Sequence, residues 1–190
     1  MFRRYLFLFF GLIFLSACGS TTNPYVPYAP LSTSSYAESA LVGDLMGTEV
    51  AAYDVTPSSS MPSGNFTYNG YAGFSGGAIT KYSDLVIISN LTLDANFDSG
   101  TYSGTMTDFY SKFTGAMTGS VNMTGNISGN ALSGTTAGNL SGNGQTLTTS
   151  GTMVGVFGTA SSGSGRTGLA GTMTGVDGIG NYQGLFVAIR

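Results

Sequence analysis

The chain has 190 residues, of which 42% are hydrophobic, 12% are aromatic and only 8% are charged. Soluble proteins usually carry about 25% charged residues and disordered chains lack aromatic ones, so the composition indicates a folded but unusually uncharged protein. From Cys18 onward nine acidic residues outnumber four basic ones, and this balance excludes a nucleic-acid-binding protein, which needs basic residues to neutralise phosphates.

The first 17 residues are typical of a bacterial signal peptide. Arg3 and Arg4 give a positive start, and residues 5–15 form an apolar segment of 11 residues. That segment is shorter than the roughly 20 apolar residues that span a bilayer. The segment ends in LSAC, which resembles the lipobox of bacterial lipoproteins, with Cys18 at the modified position. We therefore predict a lipoprotein signal peptide over 1–17; a transmembrane anchor or an ordinary signal peptide is the alternative.

The lipobox resemblance implies that the thiol of Cys18 is alkylated with diacylglycerol, that the chain is cleaved before Cys18, and that the new amine of Cys18 is acylated. Two or more acyl chains anchor a protein stably, whereas one binds only marginally. Cys18 is the single cysteine and the chain has no histidine, so neither an internal disulfide nor an activated thiol nucleophile is expected. The next residue is Gly19 rather than Asp, which by the same resemblance favours the outer membrane. Both the periplasmic face and the cell-surface face of that membrane are candidate locations for the protein.

Residues 18–63 are predicted to connect the anchor to the folded part. Pro24, Pro27 and Pro30 recur every three residues among Ser and Thr, which is typical of an extended polyproline-like tether; a ligand for a proline-binding module is the weaker alternative. Ser35 and Glu38 resemble a capping box and predict a short helix after them. The stretch 58–64, SSSMPSG, is predicted to be a loop.

Residues 64–190 are predicted to be all-β. Apolar and polar residues alternate with a period of two, and glycine-containing turns such as 98–100, DSG, separate the segments. About eight antiparallel strands of this spacing form either an up-and-down barrel or a sandwich, and we predict a small eight-stranded barrel. The predicted strands are 66–74, 91–97, 101–107, 113–121, 131–140, 151–158, 167–176 and 181–189.

A short phrase built around Gly, Thr and Met recurs in these strands. It reads GTMT at 104, GAMTG at 115, GTMVG at 151 and GTMTG at 171. On a strand, Met and Gly share one face and Thr lies on the other. Methionine fills irregular gaps in a core, so we expect the Met face inside and the Thr face in solvent. A membrane-spanning barrel needs the reverse arrangement, with an apolar outer belt.

Two segments resemble the β-barrels of the transferrin-binding protein B family. Residues 91–106, LTLDANFDSGTYSGTM, are similar to one of its hairpins, and residues 150–190 are similar to its C-terminal pattern of glycines and phenylalanines. The resemblance implies a surface or outer-membrane lipoprotein that binds iron-carrying host proteins, haem or complement regulators. The chain has room for one barrel, so transferrin binding itself is not expected. The matching C-terminal positions are Gly155, Phe157, Gly158, Gly171, Gly184, Phe186, Ala188 and Arg190.

No catalytic, metal or cofactor site is predicted. Asp94 and Asp98 lie close together around a predicted hairpin, but a strand residue and a turn residue explain them better than a carboxylate pair does. Tyrosines could ligate haem and methionines could bind copper, yet packing is the favoured interpretation of both. The tyrosines concerned are Tyr25, Tyr28 and Tyr110, and the methionines are Met106, Met117, Met123, Met153 and Met173.

The stretch DFYSKF, residues 108–113, is the candidate binding loop. It is predicted to place Phe109, Tyr110 and Lys112 between two strands, and loops at barrel ends often carry binding residues. The alternative is that Phe109 and Phe113 only cap the end of the barrel.

Together these observations predict a lipid-anchored, non-catalytic binding module of the outer membrane. It would be accessory to iron, haem or solute acquisition or to host-protein binding. The alternative is a structural envelope lipoprotein without a small-molecule ligand.

Overall fold

A computed structural model describes residues 53–79, 84–160 and 167–190. The predicted signal peptide, Cys18, the proline tether, the short helix, Tyr25 and Tyr28 all lie outside the described residues. Within the described part, no helix has the length and apolar character needed to cross a membrane.

Eight antiparallel strands, β2 to β9, form a closed up-and-down barrel. Each strand pairs with its neighbours in sequence, and β9 pairs with β2 to close the ring. The eight-stranded barrel predicted from the sequence is therefore confirmed, and the sandwich alternative is wrong. The strands are β2 (Asn65–Ser75), β3 (Ile87–Asn96), β4 (Thr101–Ser111), β5 (Gly115–Ser128), β6 (Ala131–Gly142), β7 (Gln145–Ala160), β8 (Thr167–Val176) and β9 (Asn181–Ile189).

The middle strands are longer than predicted because their turns are tighter. The segment 141–150 was expected to contain a loop, but only Asn143 and Gly144 connect β6 to β7. Both have left-handed φ angles, +50° and +76°, which is the geometry of the Asn-Gly hairpin turn that matches the twist of the flanking strands. The chain therefore returns at once, and β6 and β7 pair over twelve residues from Ala131 to Gly142.

Alternation of apolar and polar residues separates the inside of the barrel from its outer wall. The five methionines of the predicted strands are all buried in one core cluster with the inward aromatic residues. Threonines on the opposite face, including Thr107, Thr152 and Thr174, are exposed. The expected Met-inside, Thr-outside arrangement is thus confirmed, and hydroxyl pairs such as Thr152 with Thr174 link neighbouring strands on the outside.

Three pairs of glycines face each other across neighbouring strands, and an aromatic ring covers each pair. A Cβ at Gly175 would lie only 2.7 Å from Tyr182 Cζ, and one at Gly155 only 2.8 Å from Phe186 Cζ. Glycine is therefore required for the rings to lie flat against the inner wall. The pairs are Gly125 with Gly134 under Tyr102, Gly151 with Gly175 under Tyr182, and Gly155 with Gly171 under Phe186.

A strand that the sequence did not predict, β1 (Tyr53–Val55), pairs with the last residues of β7. It continues the line of β6, which begins at Ala131, and Asn130 Nδ2 donates a 2.8 Å hydrogen bond to the Thr56 carbonyl at the junction. The predicted loop that follows contains a single 3₁₀ turn, Ser58–Ser60. This segment leads across one end of the barrel to β2.

That end of the barrel is filled by aromatic side chains. The rings of Phe97 and Phe157 meet at 5.0 Å, Phe66 lies 5.9 Å from Phe97, and Met61 packs against the same cluster. The Arg190 guanidinium lies 3.6 Å over the Phe66 ring, in the geometry of a cation–π contact. We call this the closed end; it carries β1 and the last residue of the chain.

Candidate functional site

The opposite end of the barrel opens into an apolar cavity of about 230 Å³. We call this end the mouth. The described parts of the connections around it are 76–79, 84–86, 112–114, 143–144 and 177–180. Strand residues from around the barrel line the cavity, and its apolar lining includes Phe74, Met117, Val121, Leu140, Leu147 and Tyr182.

Two large apolar side chains stand exposed at the rim of the mouth. Phe113 is 77% exposed and Ile179 is 75% exposed, and both line the cavity opening. Isolated exposed apolar residues are common on proteins, but a cluster beside an apolar cavity is typical of a binding surface. The rim and cavity together form one continuous apolar site.

Short turns with internal hydrogen bonds hold both rim residues. Ser111 Oγ accepts hydrogen bonds from the backbone N–H groups of Phe113 and Thr114, at 3.2 and 3.4 Å. Asp177 Oδ1 accepts hydrogen bonds from the N–H groups of Ile179 and Gly180, both at 3.0 Å. The exposed positions of the two apolar side chains are therefore fixed by local backbone geometry.

Several polar groups of the cavity have hydrogen-bond partners within the protein. Tyr182 Oη and Thr136 Oγ1 share a 3.1 Å hydrogen bond inside the barrel, and the Tyr182 ring meets Phe74 edge-on at 5.5 Å. Asp177 is the one formally charged residue among the described lining residues, and its carboxylate fixes a turn. The mouth is thus built for apolar contact.

The candidate binding loop 108–113 is divided among three places. Phe109 is fully buried in the core, whereas Tyr110 lies on the outer wall, half-buried against a second apolar cluster that includes Leu85. Lys112 lies in the β4–β5 turn and is exposed. The prediction that Phe109 and Tyr110 lie between two strands is wrong, because β4 continues to Ser111.

A β-bulge at Asp108 accounts for this continuation. Asp108 adopts a left-handed φ of +53°, and the β3–β4 register shifts beside it between Ile88 and Asn90. Its carboxylate accepts a 3.0 Å hydrogen bond from Asn90 Nδ2. A bulge inserts one extra residue and re-aims the side chains that follow, so Phe109 turns inward and Tyr110 outward.

The other candidates weighed from the sequence have structural positions. Asp94 accepts a hydrogen bond from the Thr67 hydroxyl on the outer wall, and Asp98 accepts one from the Gly64 N–H at 2.9 Å. Within the described part, no group of three or more His, Cys, Asp or Glu side chains is placed to hold a metal ion.

Ile179 was missed by sequence reasoning. The sequence signal is an apolar residue inside a turn, in VDGIGN, where Gly178 takes a φ of +83°. Such a residue cannot reach the core from a turn that projects from the barrel, so its exposure follows from the turn itself.

Comparison of the chain with protein-family models, curated proteins and solved structures finds no match. The fold and the site define a closed eight-stranded barrel with an apolar mouth at one end. The resemblance to transferrin-binding protein B barrels stays a prediction from the sequence motifs.

Proposed function

We propose that this chain is an outer-membrane lipoprotein that acts as a non-catalytic binding module, with the mouth as its binding site. The observation that carries the proposal is the apolar cavity of about 230 Å³ flanked by the exposed Phe113 and Ile179. Convergence of an open apolar cavity with exposed apolar side chains is typical of sites that bind a ligand or partner.

The position of β1 supports an orientation for the anchored protein. The described chain starts at the closed end, so a lipid on Cys18 would hold the barrel by that end, through the predicted tether. The mouth would then point away from the membrane. The hydroxyl-rich outer wall fits a barrel held clear of lipid, because a membrane-spanning barrel presents apolar residues there.

The volume of the mouth favours a small apolar solute. Drug-sized ligands occupy pockets of about 300–1,000 Å³, above the 230 Å³ found here. A haem macrocycle would not be enclosed, so among the roles expected from the resemblance, accessory solute acquisition fits best. Uptake systems need such a carrier outside the lipid, and the proposed orientation provides it.

The anchor is tested with Cys18→Ala. We expect the variant to lose acylation and to leave the membrane fraction, with the Leu15-to-Cys18 lipobox otherwise intact. Mass spectrometry of the N-terminal peptide and fractionation of cells report the two effects. Retention of the variant in the outer-membrane fraction would contradict the lipid anchor.

The mouth is tested with a neutral naphthylamine dye whose fluorescence rises in apolar surroundings; one of its two rings would enter the cavity, and the other would contact Phe113 and Ile179 at the rim. The full chain is kept in solution by a steroid detergent, and the dye signal is compared between variants. Phe113→Ser and Ile179→Ser should weaken dye binding, while Val154→Ser, which replaces a 51% exposed residue on the outer wall, should not. Equal dye signals in all three variants would contradict a binding mouth and leave the structural envelope role.

A further inference from the structure

We infer that the mouth accepts the end of one unbranched alkyl chain, of about eight carbons, on a head group without net negative charge. This inference rests on the proposed function and names the ligand class of the same site. Three properties of the cavity carry it: its volume, its depth and the chemistry of its lining.

The volume sets the number of carbons. A heavy atom with its hydrogens occupies about 30 Å³, the share of a water molecule in the liquid. A cavity of about 230 Å³ therefore holds seven or eight such atoms. A cavity of about 150 Å³ is already enough for benzene, so the mouth has room for more than one ring but not for two.

The depth favours a chain over a ring. Met117 and Val121 both line the cavity from β5, and four residues of strand span about 13 Å. With the usual tilt of strands in a barrel, this gives a depth of about 10 Å. An extended alkyl chain with bonds of about 1.5 Å advances about 1.3 Å per carbon, so about eight carbons reach from the rim to Val121.

The lining favours an apolar chain whose head group carries no net negative charge. The deep walls are apolar apart from the hydroxyls of Thr149 and Tyr182, and the Tyr182 hydroxyl is engaged with Thr136. At the rim the one formal charge among the described lining residues is the carboxylate of Asp177, which would repel a fatty-acid carboxylate placed beside it. Phe113 and Ile179 would contact the carbons that emerge from the cavity.

The test is a series of straight-chain alcohols from butanol to dodecanol, titrated against the full chain in steroid detergent and followed by displacement of the naphthylamine dye. Burial of each methylene should tighten binding about fourfold, up to about eight carbons, after which the gain per carbon should fall. A branched alcohol with the carbon number of octanol should bind at least tenfold more weakly. Val154→Ser is the matched control and should follow the unmodified chain.

Substitutions of lining residues test where the alkyl ligand lies in the cavity. Val121→Phe fills the deep end and should move the plateau to about six carbons, since its four extra heavy atoms remove room for about two carbons after relaxation. Where circular dichroism shows that Val121→Phe does not fold, Leu147→Phe narrows the same cavity nearer the rim. Phe113→Ser should lower the affinity of the longer alcohols and leave butanol unchanged.

Several outcomes would overturn the inference: affinities independent of chain length, a steady gain per carbon up to dodecanol, or equal binding of the branched isomer. If the dye binds in a Phe113-dependent way but alcohols do not displace it, the binding module stands and the alkyl ligand fails. Incubation with phosphatidylcholine vesicles, followed by mass spectrometry of co-purified lipid, distinguishes the sources. Recovered lipid would show that the alkyl group belongs to a membrane lipid. Binding of the alcohols without recovered lipid would show that it belongs to a free amphiphile.

Discussion

Replacement of Gly171 by alanine tests whether the glycine pairs set the shape of the barrel. A Cβ at this position would lie 2.5 Å from Phe186 Cζ and 2.6 Å from Gly155 Cα, and would also meet the Val154 carbonyl oxygen. Carbon atoms normally approach to about 3.5–4.0 Å, so both the ring and strand β7 must move by about 1 Å.

The structure gives the size of the expected effect. Overpacking of a core costs about 1–3 kcal/mol, and Gly171→Ala belongs near the upper end because two of its three neighbours are backbone atoms. With a urea dependence of about 2 kcal/mol per molar, we expect the unfolding midpoint to fall by about 1–1.5 M. Urea titration followed by far-UV circular dichroism measures it.

Gly180→Ala is the matched control, because no atom lies within 4 Å of its added Cβ and its φ is not left-handed. Its free energy of unfolding should stay within about 0.5 kcal/mol of that of the unmodified chain. In the double variant with Phe186→Leu, the loss of Cζ should recover part of the Gly171→Ala cost, as a coupling of at least 0.5 kcal/mol. Equal midpoints for the two glycine variants would refute the proposed role of the pairs.

Three further perturbations follow from described contacts. Gly73→Ala places its Cβ 2.5 Å from Leu85 Cδ1 and should destabilise the barrel by about 1 kcal/mol. In a chain that also carries Leu85→Ala, the added Cβ should cost little. Shifts of the urea midpoint that simply add in the double variant would contradict this. Asp108→Val should destabilise by about 2 kcal/mol, since it loses the Asn90 hydrogen bond and strains a left-handed residue, while Asp108→Asn should cost under 1 kcal/mol; equal effects would exclude the bulge as the cause. Burial raises the pKa of Tyr102 to about 12, so the stability that the neutral hydroxyl allows is fully present below about pH 10 and is lost as the pH rises through 12. Tyr102→Phe should remove about 2 kcal/mol of that loss. An unchanged pH profile of the urea midpoint in this variant would contradict the prediction.

The barrel itself could be predicted from the sequence because its signals are local and repeated. The period-two alternation of β8 and β9 fixes which residues face inward, and both strands have the predicted bounds, 167–176 and 181–189. Inward methionines and outward threonines follow from the same alternation. The number of strands allows either a closed ring or a sandwich, and the pairing of β9 with β2 establishes the ring.

The site was less predictable because it depends on where strands end. The bulge at Asp108 carries β4 past the expected loop, and no local pattern distinguishes a bulged strand from a strand that has stopped. Phe109 was therefore expected at the barrel end and lies in the core, while Phe113 lies at the rim. β1 was also missed, since three residues carry no periodicity and their pairing partner is more than 100 residues away.

The position of β1 also has a mechanical consequence. A pull on the chain ahead of Tyr53 acts first on the pair Tyr53 and Ala160, at the tip of a three-residue ladder with β7. Antiparallel pairs pulled from one tip separate one hydrogen bond at a time, so β1 would peel away under low force. The closed ring of β2 to β9 has no such free tip. A pull on that segment would therefore open β1 before it loads the closed ring.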